Sequence, residues 1–196
     1  MKKLNFNIRG KFRTILADPP WEFLNRTGKI SPENKRYKRY KTMKLDEIKL
    51  LPVYKISSKR SHLYLWVPNA LLKEGLEVME AWGFKYKTNI IWHKIRKDGE
   101  SDNGGVGFYF RNSTEVLLFG IKGSNVRTKK LGRTQINFVK SRKREHSRKP
   151  NEFYDIIENC SWGPYLELFA RGPKKNWTVW GNQSKKYKIN WRTRPA

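Results

Sequence analysis

Four consecutive residues, Asp18-Pro19-Pro20-Trp21, are the types that chemistry on a planar amine requires. The two prolines fix the backbone and remove two donors, which leaves the Pro19 carbonyl as a rigid acceptor. Asp18 adds a second, charged acceptor beside it, and Trp21 a flat apolar face. Such a group suits a planar base with an exocyclic amino nitrogen. The ring stacks on Trp21 while Asp18 and the Pro19 carbonyl accept the two amino hydrogens. Those bonds turn the nitrogen lone pair out of conjugation and toward an electrophile. Little general-base strength is needed, because the proton leaves after the nitrogen has become positive. The rate would come from alignment and electrostatics. The same tetrapeptide also reads as a simple turn with Trp21 as a core anchor, and four residues alone do not choose between the two.

The elements that must position these residues follow from hydrophobic patterning. Arg13–Ala17 is a short β-branched run that predicts a buried strand, stopped by the prolines. Residues from about Glu22 to Lys41 are polar, basic and aperiodic and predict a long loop. Leu45, Ile48 and Leu51 predict a short helix before Pro52, and His62–Val67 a strand. Asn69–Trp82 predicts a helix with Leu72, Leu76 and Met79 on its inner face and Gly83 as its stop. Strands are predicted over Phe84–Lys94, Thr114–Ile121, Tyr165–Phe169 and Trp177–Trp180, with a weaker one at Ile136–Val139. Pro150 suits the first residue of a helix reaching Asn159, with Phe153, Ile156 and Ile157 inward. Strands alternating with helices predict an α/β fold with a largely parallel sheet and helices on its faces. In such sheets ligands bind beyond the carboxyl ends of the strands, where Asp18 falls.

The chain has 196 residues and a formal net charge of +26, from 43 Lys and Arg against 17 Asp and Glu. Its length suits one domain, and its eight Trp argue against a disordered basic tail. Cys160 is the only cysteine and the three histidines are scattered, which argues against a disulfide scaffold and a structural metal site. The absence of an apolar leader or span predicts an intracellular, cytoplasmic protein. The basic residues cluster. Lys35, Arg36, Lys38 and Arg39 surround Tyr37 and Tyr40, and Lys122–Lys149 holds eleven Lys or Arg, among them Arg142, Lys143 and Arg144. Basic runs interleaved with aromatics in loops predict nucleic-acid phosphate contacts, with Lys35, Arg36, Lys38, Arg39, Tyr40, Arg142, Lys143 and Arg144 as the candidates.

The tetrapeptide after an apolar strand resembles the amino-methyltransferase signature. More narrowly, the chain resembles the family of the catalytic subunit of the eukaryotic mRNA adenine-N6 methyltransferase, with its bacterial and phage relatives. Further segments match in order: Tyr40-Lys41-Thr42-Met43, His62–Val67, Trp82-Gly83-Phe84, Ile91–Lys94, Arg111–Glu115, Phe119–Gly123, Ser147–Pro150 with Tyr154, Glu167–Arg171, and Trp180–Gln183. The resemblance spans about Phe12 to Gln183. It implies a Rossmann-like methyltransferase fold that uses S-adenosylmethionine, a catalytic domain over 1–184, and a basic tail over 185–196. It implies Asp18, Pro19, Pro20 and Trp21 as the catalytic motif. It implies Asp18, Lys149, Glu167, Arg171, Asn182 and Gln183 as cofactor contacts. A cation at Lys149 or Arg171 suits either the cofactor carboxylate or the orienting of a neighbouring acid, and Asn182 and Gln183 suit the cofactor's ribose and adenine. The segment after Arg171 departs from the eukaryotic pattern and is shorter.

The resulting expectation is adenine-N6 methylation of DNA, with RNA as the alternative substrate and a non-catalytic nucleic-acid-binding subunit as the alternative role. A base held in a duplex would have to be extruded to reach the pocket. The eukaryotic relatives pair with a homologous subunit, so the resemblance admits a homodimer.

Overall fold

A computed structural model describes residues 6–22, 42–102, 109–142, 148–182 and 184. Seven strands form one sheet: β1 (Phe12–Ala17), β2 (Ser57–Val67), β3 (Lys85–Ile95), β4 (Thr114–Lys122), β5 (Phe138–Arg142), β6 (Tyr165–Leu168) and β7 (Trp177–Trp180). Their spatial order is β5-β3-β4-β2-β1-β6-β7. The β1–β2, β1–β6, β6–β7 and β3–β5 pairs are parallel, whereas β4 runs antiparallel to both its neighbours. The sheet is therefore mostly parallel with one reversed strand.

Among the described residues, four α-helices cover the sheet: α1 (Leu45–Lys49), α2 (Val53–Ile56), α3 (Leu72–Ala81) and α4 (Glu152–Cys160). Side chains alternate along each strand, so each face builds its own core. Ile15, Ala17, Leu63 and Leu65 pack with Ile48, Val53, Val78 and Met79 of the first three helices. Leu16, Tyr64, Trp66, Trp92 and Leu117 pack with Phe153 and Ile157 of α4. This double coverage explains why β1 reads as an unbroken apolar run.

Several boundaries differ from the patterning. β2 begins five residues before the apolar run, and α2 has too few residues for a period to show. On α3 the buried residues are Gly75, Val78 and Met79. Leu72 and Leu76 are 45% and 38% exposed, so the inner face is rotated from the one Leu spacing predicts. The reason is Gly75. A Cβ there would lie 2.6 and 2.8 Å from the Val67 methyls, so only a glycine lets α3 approach β2 this closely. Gly83 does end the helix region, in the left-handed conformation at φ 80°. The weak strand lies two residues later than predicted, because pairing begins at Phe138 opposite Ile91 and leaves Ile136 exposed. Pro150 precedes α4 by two residues rather than opening it. Among the described residues no helix is long and apolar enough to cross a membrane.

Candidate active site at the carboxyl ends of the strands

Strand β1 ends at Ala17 because the prolines that follow cannot donate to a neighbour. Asp18 is the first residue past it, and its N–H reaches the Leu168 carbonyl of β6 at 3.4 Å. The turn is then closed internally. The Trp21 N–H donates to the Pro19 carbonyl at 2.8 Å, and the Met43 N–H donates to the Pro20 carbonyl at 2.8 Å. The segment that leaves at Glu22 and returns at Thr42 is thus pinned at both ends to the motif. Pro19 offers its remaining lone pair rather than a wholly free carbonyl.

Trp21 is not the open platform described above. It is 6% exposed, sits in the core with Met43, and donates its Nε1–H to the Trp66 carbonyl at 3.0 Å. The indole anchors the turn to the end of β2, which is the core-anchor reading of this residue. In this conformation its face is unavailable for stacking.

Asp18 faces a line of alternating charge. Lys149 Nζ lies 3.3 Å from Asp18 Oδ2 and 2.8 Å from Glu115 Oε2. Lys94 Nζ lies 2.6 Å from Glu115 Oε1. The Lys149 ammonium also stands 4.9 Å from the centre of the Trp66 ring. Asp18–Lys149–Glu115–Lys94 therefore crosses the rim from β1 to β3 through side chains of four separate segments. Burial would raise the Glu115 carboxyl, but Lys149 and Lys94 outweigh it and hold it at about 2. At Asp18 burial prevails, reinforced by Glu115 and opposed by Lys149, so its carboxyl is raised. Burial opposes the charge on Lys149, and the two carboxylates overcome it and raise its affinity for the proton.

A second acid lies on β6. Tyr154 OH reaches both carboxylate oxygens of Glu167 at 2.9 Å. Burial pushes the Glu167 carboxyl up to about 7, with Asp18 adding to the rise and the Tyr154 hydrogen bond and Lys174 opposing it. At the end of β6, Phe169 adopts a left-handed backbone at φ 65°, which turns the chain toward Arg171. Such strain in a non-glycine residue is characteristic of functional sites.

These residues share one cleft of about 620 Å³, counting space open to solvent. Its walls include Asp18, Trp66, Lys149, Tyr154, Glu167 and Arg171. Two wall residues carry buried polar atoms without a hydrogen-bond partner among the described residues, Trp66 Nε1 and Asn151 Oδ1. Cations for a carboxylate, carboxylates for an ammonium or sulfonium, and unsatisfied polar atoms together match the groups of S-adenosylmethionine.

The structure thus brings Asp18, Lys149, Glu167 and Arg171 together. Asn182 stands exposed two residues past β7 and does not line the cleft. Gln183 lies outside the described residues, as do Lys35, Arg36, Lys38, Arg39, Tyr40, Lys143, Arg144 and the 185–196 tail. Arg142 is exposed at the end of β5 and donates to the Lys97 carbonyl at 2.9 Å. Sequence reasoning gave no role to Glu115, Lys94 or Trp66. The available signal was an acid heading the most apolar strand, a position that burial penalises unless a cation meets it.

A mostly parallel sheet with one reversed strand, and an acidic and cationic cleft at its carboxyl ends, defines the fold class of the S-adenosylmethionine-dependent methyltransferases. Within that class, a family model described as MT-A70 matches residues 12–183, and the chain belongs to the MT-A70 family. It is 34% identical over 187 residues to a putative N(6)-adenosine-methyltransferase MT-A70-like protein of Medicago truncatula, covering 93% of this chain and 28% of that one. It is 30% identical to the human N(6)-adenosine-methyltransferase catalytic subunit METTL3, covering 93% and 30%. It is 29% identical to the type II methyltransferase M.MunI of Mycoplasma sp, covering 88% and 78%. The chain therefore spans under a third of the length of these two eukaryotic relatives.

Proposed function

We propose that this chain is a DNA adenine-N6 methyltransferase dependent on S-adenosylmethionine. The observation that carries the reading is Asp18, held by Lys149 at the mouth of a cleft whose other walls suit that cofactor. When bound, the cofactor supplies an electrophilic methyl group. Arg171 and Lys149 are the cations for its carboxylate, and Glu167 the acid beside it. Asp18 accepts one hydrogen of the adenine amino group and the free lone pair of the Pro19 carbonyl accepts the other. The nitrogen lone pair is then directed into the cleft. Lys149 keeps Asp18 in one orientation, and Trp66 presents an apolar wall that excludes water. As the amino nitrogen becomes positive, the Asp18 carboxylate stabilises it and receives its proton, for which the raised Asp18 carboxyl is better suited than an ordinary one.

The DNA reading is supported by the type II methyltransferase relative, because this chain aligns with 78% of its length. Type II methyltransferases as a class modify DNA. RNA is the second reading, favoured by the identity to relatives named as N(6)-adenosine-methyltransferases. The deciding experiment gives purified protein labelled cofactor with matched DNA and RNA panels, single- and double-stranded. The expected outcome is N6-methyladenine in DNA, abolished by Asp18→Ala. Labelled RNA with unlabelled DNA selects the alternative substrate. Cofactor and nucleic-acid binding without any labelled product overturns catalysis and leaves a binding subunit.

A further inference from the structure

A second cavity lies at the other end of the sheet, where β1 and β2 begin and β4 ends. It measures about 1290 Å³, likewise counting space open to solvent. Seven of its lining residues are Lys or Arg, and none of its described lining residues is acidic. Arg13 comes from the start of β1, Lys59 and Arg60 from the start of β2, and Arg127 from the β4–β5 connection. Lys130 and Arg133 come from a 3-10 turn that is tied to α4 through the Lys129 N–H and the Cys160 carbonyl at 2.8 Å. None of the seven forms an ion pair among the described residues. Arg13 and Asp18 are five residues apart on one strand, so the two sites are separated by roughly 16 Å at about 3.3 Å per residue.

Folding has therefore gathered like charges from three segments into one concavity with no counter-charge among its described lining residues. The arrangement costs free energy unless an anion enters. Two of the seven cations are held in place by backbone carbonyls, Lys129 by that of Glu158 at 2.8 Å and Arg60 by a second one. Arg60 donates to the Asn125 carbonyl at 2.6 Å, which straps β2 to the β4–β5 connection. Below them, His62 and Tyr64 both reach Ser161 Oγ, at 2.7 and 2.8 Å, and make a rigid floor. Beside them the Trp162 ring is 37% exposed, with the Arg13 guanidinium 5.2 Å from its centre. A single small phosphate carries too little charge to match seven cations, and it has no use for an exposed indole. A row of phosphates with attached bases answers both features.

We infer that this cavity is a second, non-catalytic nucleic-acid site. It holds the phosphodiester strand on Lys59, Arg60, Lys130 and Arg133 and stacks a base on Trp162. The inference rests on the reading of the protein as a nucleic-acid enzyme, and is indifferent to DNA or RNA. It assigns affinity to one end of the sheet and chemistry to the other.

The test compares Lys59→Glu/Lys130→Glu with a control of equal charge change, Lys73→Glu/Lys87→Glu, on exposed positions of α3 and β3. Oligonucleotide binding is followed by anisotropy across a salt series, and turnover by labelled methyl transfer. The cavity variant is expected to raise KM for the oligonucleotide about tenfold, with kcat and KM for the cofactor unchanged. Its plot of log affinity against log salt should be shallower by about 1.8, for two phosphate contacts at roughly 0.9 each on duplex DNA. The control should move neither quantity comparably. Trp162→Ala should weaken single-stranded binding on the order of tenfold. Where a glutamate variant is unstable, Lys59→Gln/Lys130→Gln reports the same contacts. Equal losses in cavity and control variants overturn the inference, as does a cavity variant that loses adenosine monophosphate binding but keeps the oligonucleotide. Wild-type protein that binds nucleic acid without methylating it defeats only the proposed function. Wild-type protein that binds none defeats both.

Discussion

Lys149 is the cation that, among the described residues, pairs with both Asp18 and Glu115. Its side chain is 17% exposed, so its interactions are only partly screened. Lys149→Met keeps the alkyl length and deletes the charge. The expected cost is about 1–3 kcal/mol at neutral pH, measured by urea unfolding, together with loss of methyl transfer. The pH dependence has a definite sign. Glu115 titrates at about 2 in the fold, below its ordinary value, so its stabilisation is present above about pH 4.5 and lost as pH falls toward 2. The gap between wild type and Lys149→Met should shrink over that same window. Glu167 behaves oppositely. Its folded carboxyl titrates at about 7, above its ordinary value, so the fold loses stability as pH rises from about 4.5 to 7. Glu167→Gln should flatten that slope and be the more stable protein at pH 8. Tyr154→Phe removes a hydrogen bond that favours the charged form, and carboxyl NMR should show the Glu167 midpoint moved upward.

At the scale of elements, the site depends on how closely α3 lies against β2. Val67 follows Trp66, whose carbonyl holds Trp21 and whose ring faces Lys149. Gly75→Ala improves helix propensity by about 1 kcal/mol but drives a methyl into both Val67 branches. Overpacking of this kind costs about 1–3 kcal/mol, so the substitution should destabilise on balance, with activity falling as the end of β2 shifts. A thermal or urea melt gives the sign directly. The strands were legible in the sequence because burial on two faces leaves little room for polar residues. Their directions were not, since hydropathy is the same read either way, and the reversal of β4 has no local signature. On α3 the predicted inner face was right at Met79 and wrong at Leu72 and Leu76, because leucines mark burial only where the helix is not brought closer by a glycine.

For the whole molecule, the charge of +26 acquires a geography. One cationic set neutralises acids at the carboxyl rim, and another lines the cavity at the amino ends with no ion pair among the described residues. The second set is the one that the inference above assigns to phosphates. Affinity for duplex DNA should therefore fall steeply with salt, by about a thousandfold between 50 and 200 mM if six phosphates are engaged, and less steeply for single strands at equal contacts. Titration at four salt concentrations separates this from a hydrophobic mode, which would be nearly flat. Asp18, Lys149, Glu167 and Arg171 were placed from motif and resemblance. Glu115 and Lys94 were not, because a cross-strand ion pair joins residues twenty-one positions apart and leaves no spacing to read.

The closure between Pro20 and Met43 bears on how such a protein can change over generations. Both ends of the intervening segment are fastened by the motif's own backbone, so its length is thermodynamically cheap. Doubling a loop adds only about 0.6 kcal/mol of closure entropy. The residues between Glu22 and Thr42 can therefore change in number and kind at little cost in closure entropy, while the four residues of the motif keep their geometry.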